Sequence, residues 1–198
     1  VKKEIGEAAK CRSRVFTKCV RDRYDSQANY TISVKEAIKK IIRERYEAIT
    51  NLTFKFIDDC ASEAEKRKAD ISISFIVGNG ANSSIGSSSR GMYPSMNLGW
   101  FDVATTLHEF GHALGMIHEH QSPSAGINWD EEKVYQWSYC RNRWNCFTTY
   151  HAILEKYNKD SYNSSVFDPD SVMLYAYPGV LTTDGKGTHY NGRLSLMD

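Results

Sequence analysis

The sequence predicts a single-domain α+β protein, and three observations lead to this fold class. Apolar residues recur at three- and four-residue steps over residues 34–49, which is the period of a helix that buries one face. Residues 70–77 alternate between polar and apolar side chains, as a half-buried strand does. Regular patterns become sparse beyond Gly115, so helices and strands are expected mainly in the first part of the chain and irregular structure in the second.

The strands are predicted before residue 101. Residues 52–57 alternate like residues 70–77, and residues 95–100 are a third candidate. Residues 78–91 are rich in Gly, Ser and Asn, and they predict a loop around one short edge strand. The helix over residues 34–49 has charged residues on its other face, so we expect it to pack on this sheet.

A second long helix is predicted to begin at Asp102 or Thr105. Two further helices are expected near residues 131–139 and 151–157. Residues 1–25 are basic and polar without a clear period, and no element is predicted for them.

Composition and charge argue against several classes of partner. Hydrophobic residues make up 41% of the 198-residue chain and charged residues 25%, which is ordinary for a globular protein. The formal net charge of +1 gives no electrostatic reason to expect a nucleic-acid partner. The apolar runs are far too short to cross a membrane, and we expect a monomer without a membrane partner.

Cysteines and glycosylation sequons favour a secreted protein. Cys11 lies close to Cys19 in the sequence, and Cys140 lies close to Cys146. This predicts two local disulfide bonds with Cys60 left as a free thiol, although other pairings remain open. Four N-x-[ST] sequons occur, at Asn29, Asn51, Asn82 and Asn163. Together these features favour an oxidising, extracellular setting.

One short stretch, HEFGHALGMIH, carries the candidate chemistry. His108 and His112 are four residues apart, so on a helix both imidazoles project from one face and can bind one zinc ion. Glu109 stands beside the pair, where it can take a proton from a zinc-bound water. Gly115 can adopt the positive φ that ends a helix, and this lets His118 turn back as the third nitrogen ligand. Three protein ligands leave one coordination position open, which is the catalytic pattern.

A pair of surface histidines on an amphipathic helix is the alternative for His108 and His112. Such pairs are common on helices, and even the pattern H-E-x-x-H has chance matches. Adding Gly115 and His118 at fixed offsets gives five specified residues in an eleven-residue window, which favours the metal site.

This stretch resembles the zinc signature of the metzincins, and Glu119 directly after the third histidine is similar to the astacin mark within that clan. Ser-Val-Met-Leu-Tyr at residues 171–175 is similar to the astacin Met-turn. The resemblance covers roughly residues 34–198. Further stretches look like the microbial and fungal astacin-like branch, at residues 94–100, 118–130 and 194–198.

The resemblance implies a secreted zinc endopeptidase that hydrolyses internal peptide bonds of proteins. His108, His112 and His118 would bind its one zinc ion. Glu109 would act on the zinc-bound water as general base and then as general acid. Tyr175 would ligate zinc in the resting site and then swing away to stabilise the oxyanion.

The resemblance also implies structural roles and a metzincin-type fold. Met173 would form an apolar floor near the metal, and Glu119 would be a buried structural acid. One catalytic domain, residues 1–198, would have an upper lobe of about residues 1–116 with a twisted mixed sheet and two long helices. An irregular lower lobe of about residues 117–198 would follow, with the active-site cleft between the lobes.

Residues 80–86, GANSSIG, lie where astacins have an edge strand that pairs with an extended substrate. On this interpretation Ser83, Ser84 and Ile85 bind the substrate. A flexible polar loop is the alternative, and the sequence supports both equally.

A non-catalytic or latent protein that uses a protease fold for binding is the main competing function. The presence of Glu109 argues against it, because a pure binder has no need of that base. A zinc hydrolase with a distant glutamate ligand is disfavoured by the local third ligand, His118. Protein or peptide substrates are therefore expected.

Overall fold

The computed structural model describes residues 32–57, 68–158 and 166–198. These residues form two compact units. The sheet unit comprises residues 32–57, 68–117, 170–173 and 190–198, and the helical unit comprises residues 118–158, 166–169 and 174–189. The expected single catalytic domain with lobes meeting near residue 116 stays a prediction. Residues 1–25 and Cys11, Cys19 and Cys60 lie outside the described residues.

Two helices of equal length form the framework of the sheet unit. α1 spans Ile32–Ile42 and continues as a π-helical turn at Arg43–Glu47, which confirms most of the helix predicted over residues 34–49. α2 spans Val103–Ala113, and the Asp102 carboxylate caps its start by accepting a first-turn backbone N–H at 2.8 Å. Their apolar faces meet in a core whose fully buried side chains each contribute about 1.5–3 kcal/mol. The core includes Ile38, Ile42, Tyr46, Met96, Leu98, Leu107 and Phe110.

The sheet is small and mixed. β1 (Ile73–Ser74) runs parallel to β3 (Met96–Leu98), and β2 (Ala81–Ser83) runs antiparallel to β3. The strand order β1-β3-β2 places β3 in the centre, where all three of its residues are buried. β2 lies at the edge, so the short edge strand expected within residues 78–91 is confirmed.

Residues 52–57 are not a strand, contrary to the prediction. Their burial does alternate, since Phe54 and Phe56 are half-buried and pack against the core while Lys55 is exposed. The Phe54 N–H, however, donates to the Glu47 carboxylate at 2.5 Å rather than to a strand carbonyl. Alternating side-chain burial is thus achieved here without a pairing strand.

The helical unit contains α3 at Glu131–Asn142 and the short α4 at Cys146–Thr149, which runs into a π-helical turn at Tyr150–Leu154. The helix predicted near residues 131–139 is confirmed. The one predicted near residues 151–157 begins and ends earlier in the chain than expected. Across the described ranges, no helix is long and apolar enough to cross a membrane. The core of this unit is formed by Val134, Ile153, Tyr177 and Leu181, with Trp129 and Trp137 packed against it.

Candidate metal centre and active site

Gly115 ends α2 as the sequence predicts. Its φ is 105°, in the range that favours glycine. The Gly115 N–H donates to the His112 carbonyl, and the Met116 N–H donates to the Gly111 carbonyl, both at 2.9 Å. These two bonds are those of a Schellman motif, which satisfies carbonyls that a helix end leaves open. The chain then continues to His118 in extended geometry, with φ −63° and ψ 126°.

The imidazoles of His108 and His112 lie on one face of α2, with ring centroids 4.7 Å apart. His108 Nδ1 lies 2.9 Å from the Val172 carbonyl oxygen, and His112 Nδ1 lies 2.8 Å from the Met116 carbonyl oxygen. Because a carbonyl oxygen only accepts, each Nδ1 carries the proton, and each Nε2 presents a lone pair. This arrangement leaves both Nε2 atoms available to a metal ion.

The third imidazole is oriented by a side chain, whereas main-chain carbonyls orient the other two. His118 Nδ1 lies 3.2 Å from Gln121 Oε1. The Gln121 Nε2 donates to the carbonyls of His151 at 2.7 Å and Glu155 at 3.0 Å, which fixes the orientation of the amide and leaves Oε1 as the acceptor. His118 therefore also carries its proton on Nδ1 and presents Nε2.

His108, His112 and His118 lie together within one continuous stretch of eleven residues. One ligand atom from each of them lies within 4.8 Å of the other two. The Glu109 Oε2 atom beside them is buried and has no hydrogen-bond partner among the residues that the structure describes. Three imidazoles are a donor set that suits zinc, and a cation would compensate the buried carboxyl. The residues present therefore fit a zinc ion.

Burial sets the protonation of this group. It lowers the pKa of His108 to about 4, with a smaller contribution from the neighbouring His112, and it lowers the pKa of His112 as well. Both imidazoles are therefore neutral near pH 7, as metal ligation requires. Burial raises the pKa of Glu109 to about 8, because the charged carboxylate loses its hydration.

Met173 is almost completely buried, and α2 accommodates it through a glycine. A Cβ atom on Gly111 would lie 2.5 Å from the Met173 Sδ atom. The turn that carries Met173 is held by Asp198, whose carboxylate accepts from the Val172 N–H at 2.9 Å and from the Ser171 hydroxyl. Since the Val172 carbonyl orients His108, Asp198 is linked to the metal site through one peptide unit.

Tyr175 lies beside the third histidine. Its ring centroid is 4.9 Å from that of His118, and 43% of Tyr175 is exposed. His120 and Tyr177 lie on its other sides, with centroids 5.7 and 6.3 Å away. Tyr175 is therefore supported by packing but retains a solvent-accessible part.

Glu119, the residue after His118, is half-buried and accepts a hydrogen bond within the helical unit. Its Oε1 accepts from the Asp168 N–H at 2.9 Å. Its negative charge acts on Lys156, raising the pKa of that ammonium against the larger, lowering effect of burial. Glu119 thus has a local hydrogen-bond donor and a nearby cation.

The predicted substrate-binding residues lie in and after β2. Ser83 is the last residue of β2, and the Ser84 N–H donates to the Ser95 carbonyl at 2.8 Å. Ile85 is partly exposed. A Cβ atom on the next residue, Gly86, would lie 3.4 Å from the Gly115 Cα atom, so this segment runs against the turn after α2. The structure therefore brings an edge strand close to the predicted ligand stretch.

Several site residues have no motif that could have revealed them. The carbonyls of Val172 and Met116 orient the imidazoles of His108 and His112, but a main-chain acceptor cannot be recognised from the residue type. Gln121 lies three residues after His118, a spacing that could have suggested a contact. Gly111 in the middle of a helix was a signal of close packing, because glycine is otherwise unfavourable there.

Comparison with known proteins gives the family. Residues 17–188 match the family model described as Astacin, a peptidase family. A structure of myroilysin is 32% identical with a TM-score of 0.77, and the match covers 86% of this chain and 85% of that one. A second myroilysin structure is 30% identical with a TM-score of 0.57, covering 86% of this chain and 76% of that one.

A more distant structure shares the fold. High choriolytic enzyme 1, a hatching enzyme zinc-protease from the medaka fish Oryzias latipes, is 16% identical with a TM-score of 0.53, covering 84% of this chain and 79% of that one. No curated protein sequence matches the chain. The family match and the myroilysin structures show that the chain belongs to the astacin family, as a zinc metalloendopeptidase with an α+β metzincin fold that acts on proteins or peptides.

Proposed function

We propose that this chain hydrolyses internal peptide bonds of proteins outside the cell, with Glu109 as the general base. The observation that carries the proposal is the cluster of His108, His112 and His118, whose ligand atoms lie within 4.8 Å of one another. Glu109 follows the first of these histidines and keeps a buried carboxylate oxygen without a hydrogen-bond partner in the described part of the chain. A buried acid of this kind at a metal cluster has the features of a proton-transfer group.

The three histidines would hold one zinc ion through their Nε2 atoms, because their Nδ1 atoms are engaged elsewhere. When bound, zinc supplies Lewis acidity, which polarises the scissile carbonyl and lowers the pKa of a coordinated water towards about 7. Glu109 takes the proton from the attacking water and returns it to the departing amine. Burial raises the pKa of Glu109 in the zinc-free chain, and the positive charge of a bound zinc ion would lower it again, so that the carboxylate can accept a proton.

Tyr175 is proposed as a further zinc ligand in the resting site and as the hydrogen-bond donor to the oxyanion. Its ring contact with His118 and its partly exposed position support both roles, since a half-exposed side chain can rotate. A phenol donates a hydrogen bond to negative charge that develops on the carbonyl oxygen.

Three residues are proposed to support the site without contacting the substrate. Gly115 provides the turn between the second and third ligands. Met173 packs against Gly111 and forms an apolar floor. Glu119 holds the chain after His118 by its bond to the Asp168 N–H.

The substrate is proposed to lie extended along the edge of β2, contacting Ser83, Ser84 and Ile85. An edge strand offers unpaired backbone groups to an extended peptide. The position of Gly86 against the Gly115 turn supports the assignment, because it brings this edge near the ligand stretch.

We also propose that the chain is secreted, forms local disulfide bonds and is a monomer without nucleic-acid or membrane partners. A disulfide bond between Cys140 and Cys146 is proposed on the basis of their short separation in the sequence. Of the four sequons, Asn51 and Asn82 are exposed, as glycan acceptors must be, and Asn29 and Asn163 lie outside the described residues.

Digestion of casein by the purified chain tests this function. We expect digestion that stops with a zinc chelator, resumes with added zinc, and is lost in Glu109→Gln while bound zinc is retained. Glu132→Gln, which changes an exposed carboxylate on α3, is the matched control and should digest like the wild type. Equal digestion by the wild type and Glu109→Gln would sink the general-base assignment. A zinc-loaded wild type without any activity would favour the non-catalytic binder instead.

A further inference from the structure

Several of the hydrogen bonds that hold the turn carrying the third histidine come from one segment of the helical unit. We call residues 118–125 the ligand turn and residues 151–157 the supporting segment. The ligand turn contains a 3₁₀ turn at Glu119–Gln121, and the His118 side chain does not cap its start. A single 3₁₀ turn is a short element, so contacts from other segments contribute to its position.

Gln121 makes the first set of contacts between the two. Its side-chain amide donates to the carbonyls of His151 and Glu155, at 2.7 and 3.0 Å. In return, the Tyr157 N–H donates to the Gln121 carbonyl at 2.9 Å. These bonds fix the amide oxygen that faces His118 Nδ1, so the supporting segment determines the orientation of that imidazole.

Lys156 makes the second set of contacts from the same segment. Its Nζ atom donates to the carbonyl of His120 at 2.7 Å and to that of Ala125 at 3.1 Å. His120 is fully buried and Ala125 nearly so. One ammonium therefore joins two points of the ligand turn, on either side of its bend.

The charge of Lys156 is also placed for this role. The side chain is half-buried, and burial lowers its pKa to about 8, whereas the carboxylate of Glu119 raises it. A half-buried lysine stays charged only where its N–H groups have acceptors and an opposite charge lies nearby. Here two carbonyls receive the donors and Glu119 supplies the opposite charge. A surface lysine such as Lys133, paired with Asp130 at 2.6 Å on α3, has no comparable connection.

We propose that Lys156 is a positioning residue of the metal centre, which ties the carbonyls of His120 and Ala125 together and so determines where His118 presents its ligand nitrogen. Lys156 acts through the ligand turn and does not contact the ion. This inference rests on the proposed ligation of zinc by His118. The proposal adds Lys156, from the supporting segment after α4, to the residues that support the site.

Zinc affinity tests the proposal with a readout that does not depend on activity. The dissociation constant is measured by competition with a chromophoric chelator in the wild type, Lys156→Met and Lys133→Met. Methionine keeps a similar apolar stem and removes the donors and the charge. We expect Lys156→Met to raise the dissociation constant about tenfold, as removal of an outer partner of a ligand does. Lys133→Met is the matched control and should stay within about twofold of the wild type.

Cobalt substitution separates positioning from general destabilisation. The ligand-field spectrum of the Co²⁺-loaded protein depends on ligand geometry, so it should change in Lys156→Met and not in Lys133→Met. Lys156→Arg, which keeps donors and charge, should restore the affinity at least in part. If Lys156→Met does not fold, Lys156→Gln, which keeps a single weaker donor group, is measured in its place, and the same loss is expected.

Wild-type affinity and an unchanged cobalt spectrum in the Lys156 variants would overturn the positioning role. A loss of unfolding free energy with zinc affinity preserved would overturn it equally, because a merely structural lysine gives that result. Failure of the wild type to bind zinc would instead overturn the proposed function, and this inference with it. The two failures are therefore distinguishable.

Discussion

Replacing Gly115 by alanine isolates the backbone conformation that lets His118 turn back. A Cβ atom on Gly115 meets nothing within 4 Å, so the substitution introduces no clash. Any loss of unfolding free energy must therefore come from the backbone conformation, since φ is 105°. Left-handed backbone costs an L-residue about 1–2 kcal/mol. Alanine also restricts the unfolded chain, which favours the folded state by about 0.4–1 kcal/mol. The net expected loss is about 1 kcal/mol, or about 2–4 °C in Tm for a chain of this size.

Urea unfolding of the zinc-free protein measures this loss. Gly126→Ala is the matched control, since its Cβ also meets open space and its φ is not in the left-handed range. Gly115→Asn should lose less than Gly115→Ala, because asparagine tolerates positive φ better. The reasoning is refuted if Gly115→Ala and Gly126→Ala unfold at the same urea concentration. It is equally refuted if asparagine is worse than alanine.

Three further predictions concern the site. The pKa of Glu109 is raised from 4.5 to about 8 in the folded chain. Between these two values the folded state holds a proton that the unfolded state has released. The zinc-free protein should therefore lose stability as pH rises from about 6.5 to 8. His108 titrates below this pH window. If the unfolding free energy of Glu109→Gln, measured in urea, still falls with pH in this window, Glu109 is not the group responsible. Tyr175→Phe should lower kcat by about 10²–10³ with little change in KM, and an unchanged kcat would exclude the oxyanion role. Asp198→Ala should cost about 1–3 kcal/mol in urea unfolding and weaken zinc binding, whereas Asp70→Ala, which removes an exposed pair, should do neither.

The local geometry of residues 108–118 could be predicted from sequence because it depends on a few consecutive residues. The helical period places His108 and His112 on one face, and Gly115 has the conformational freedom that the following turn requires. Both properties belong to a few consecutive residues and depend little on the rest of the fold. The same applies to the start of α2, where Asp102 caps the first turn.

Features that depend on distant partners were predicted less well. The alternation at residues 52–57 indicated burial correctly, but whether a strand pairs depends on a neighbour that periodicity does not identify. β1 covers only Ile73–Ser74 because the Ile76 N–H donates to the Asn97 side chain at 2.8 Å, and no local pattern announces that bond. The bond between Lys156 and the His120 carbonyl joins residues far apart in the chain, so the residues near His118 gave no indication of it.

The three histidines that we propose as zinc ligands differ in how readily a substitution nearby can alter their imidazoles. His108 and His112 are oriented by main-chain carbonyls, which persist whatever side chain occupies the positions of Val172 and Met116. These two ligands are therefore insulated from sequence drift at their partners. His118 is oriented by the Gln121 side chain, and a single codon change can alter the basicity of its imidazole. Variation in metal preference among relatives, or by engineering, would therefore begin at Gln121.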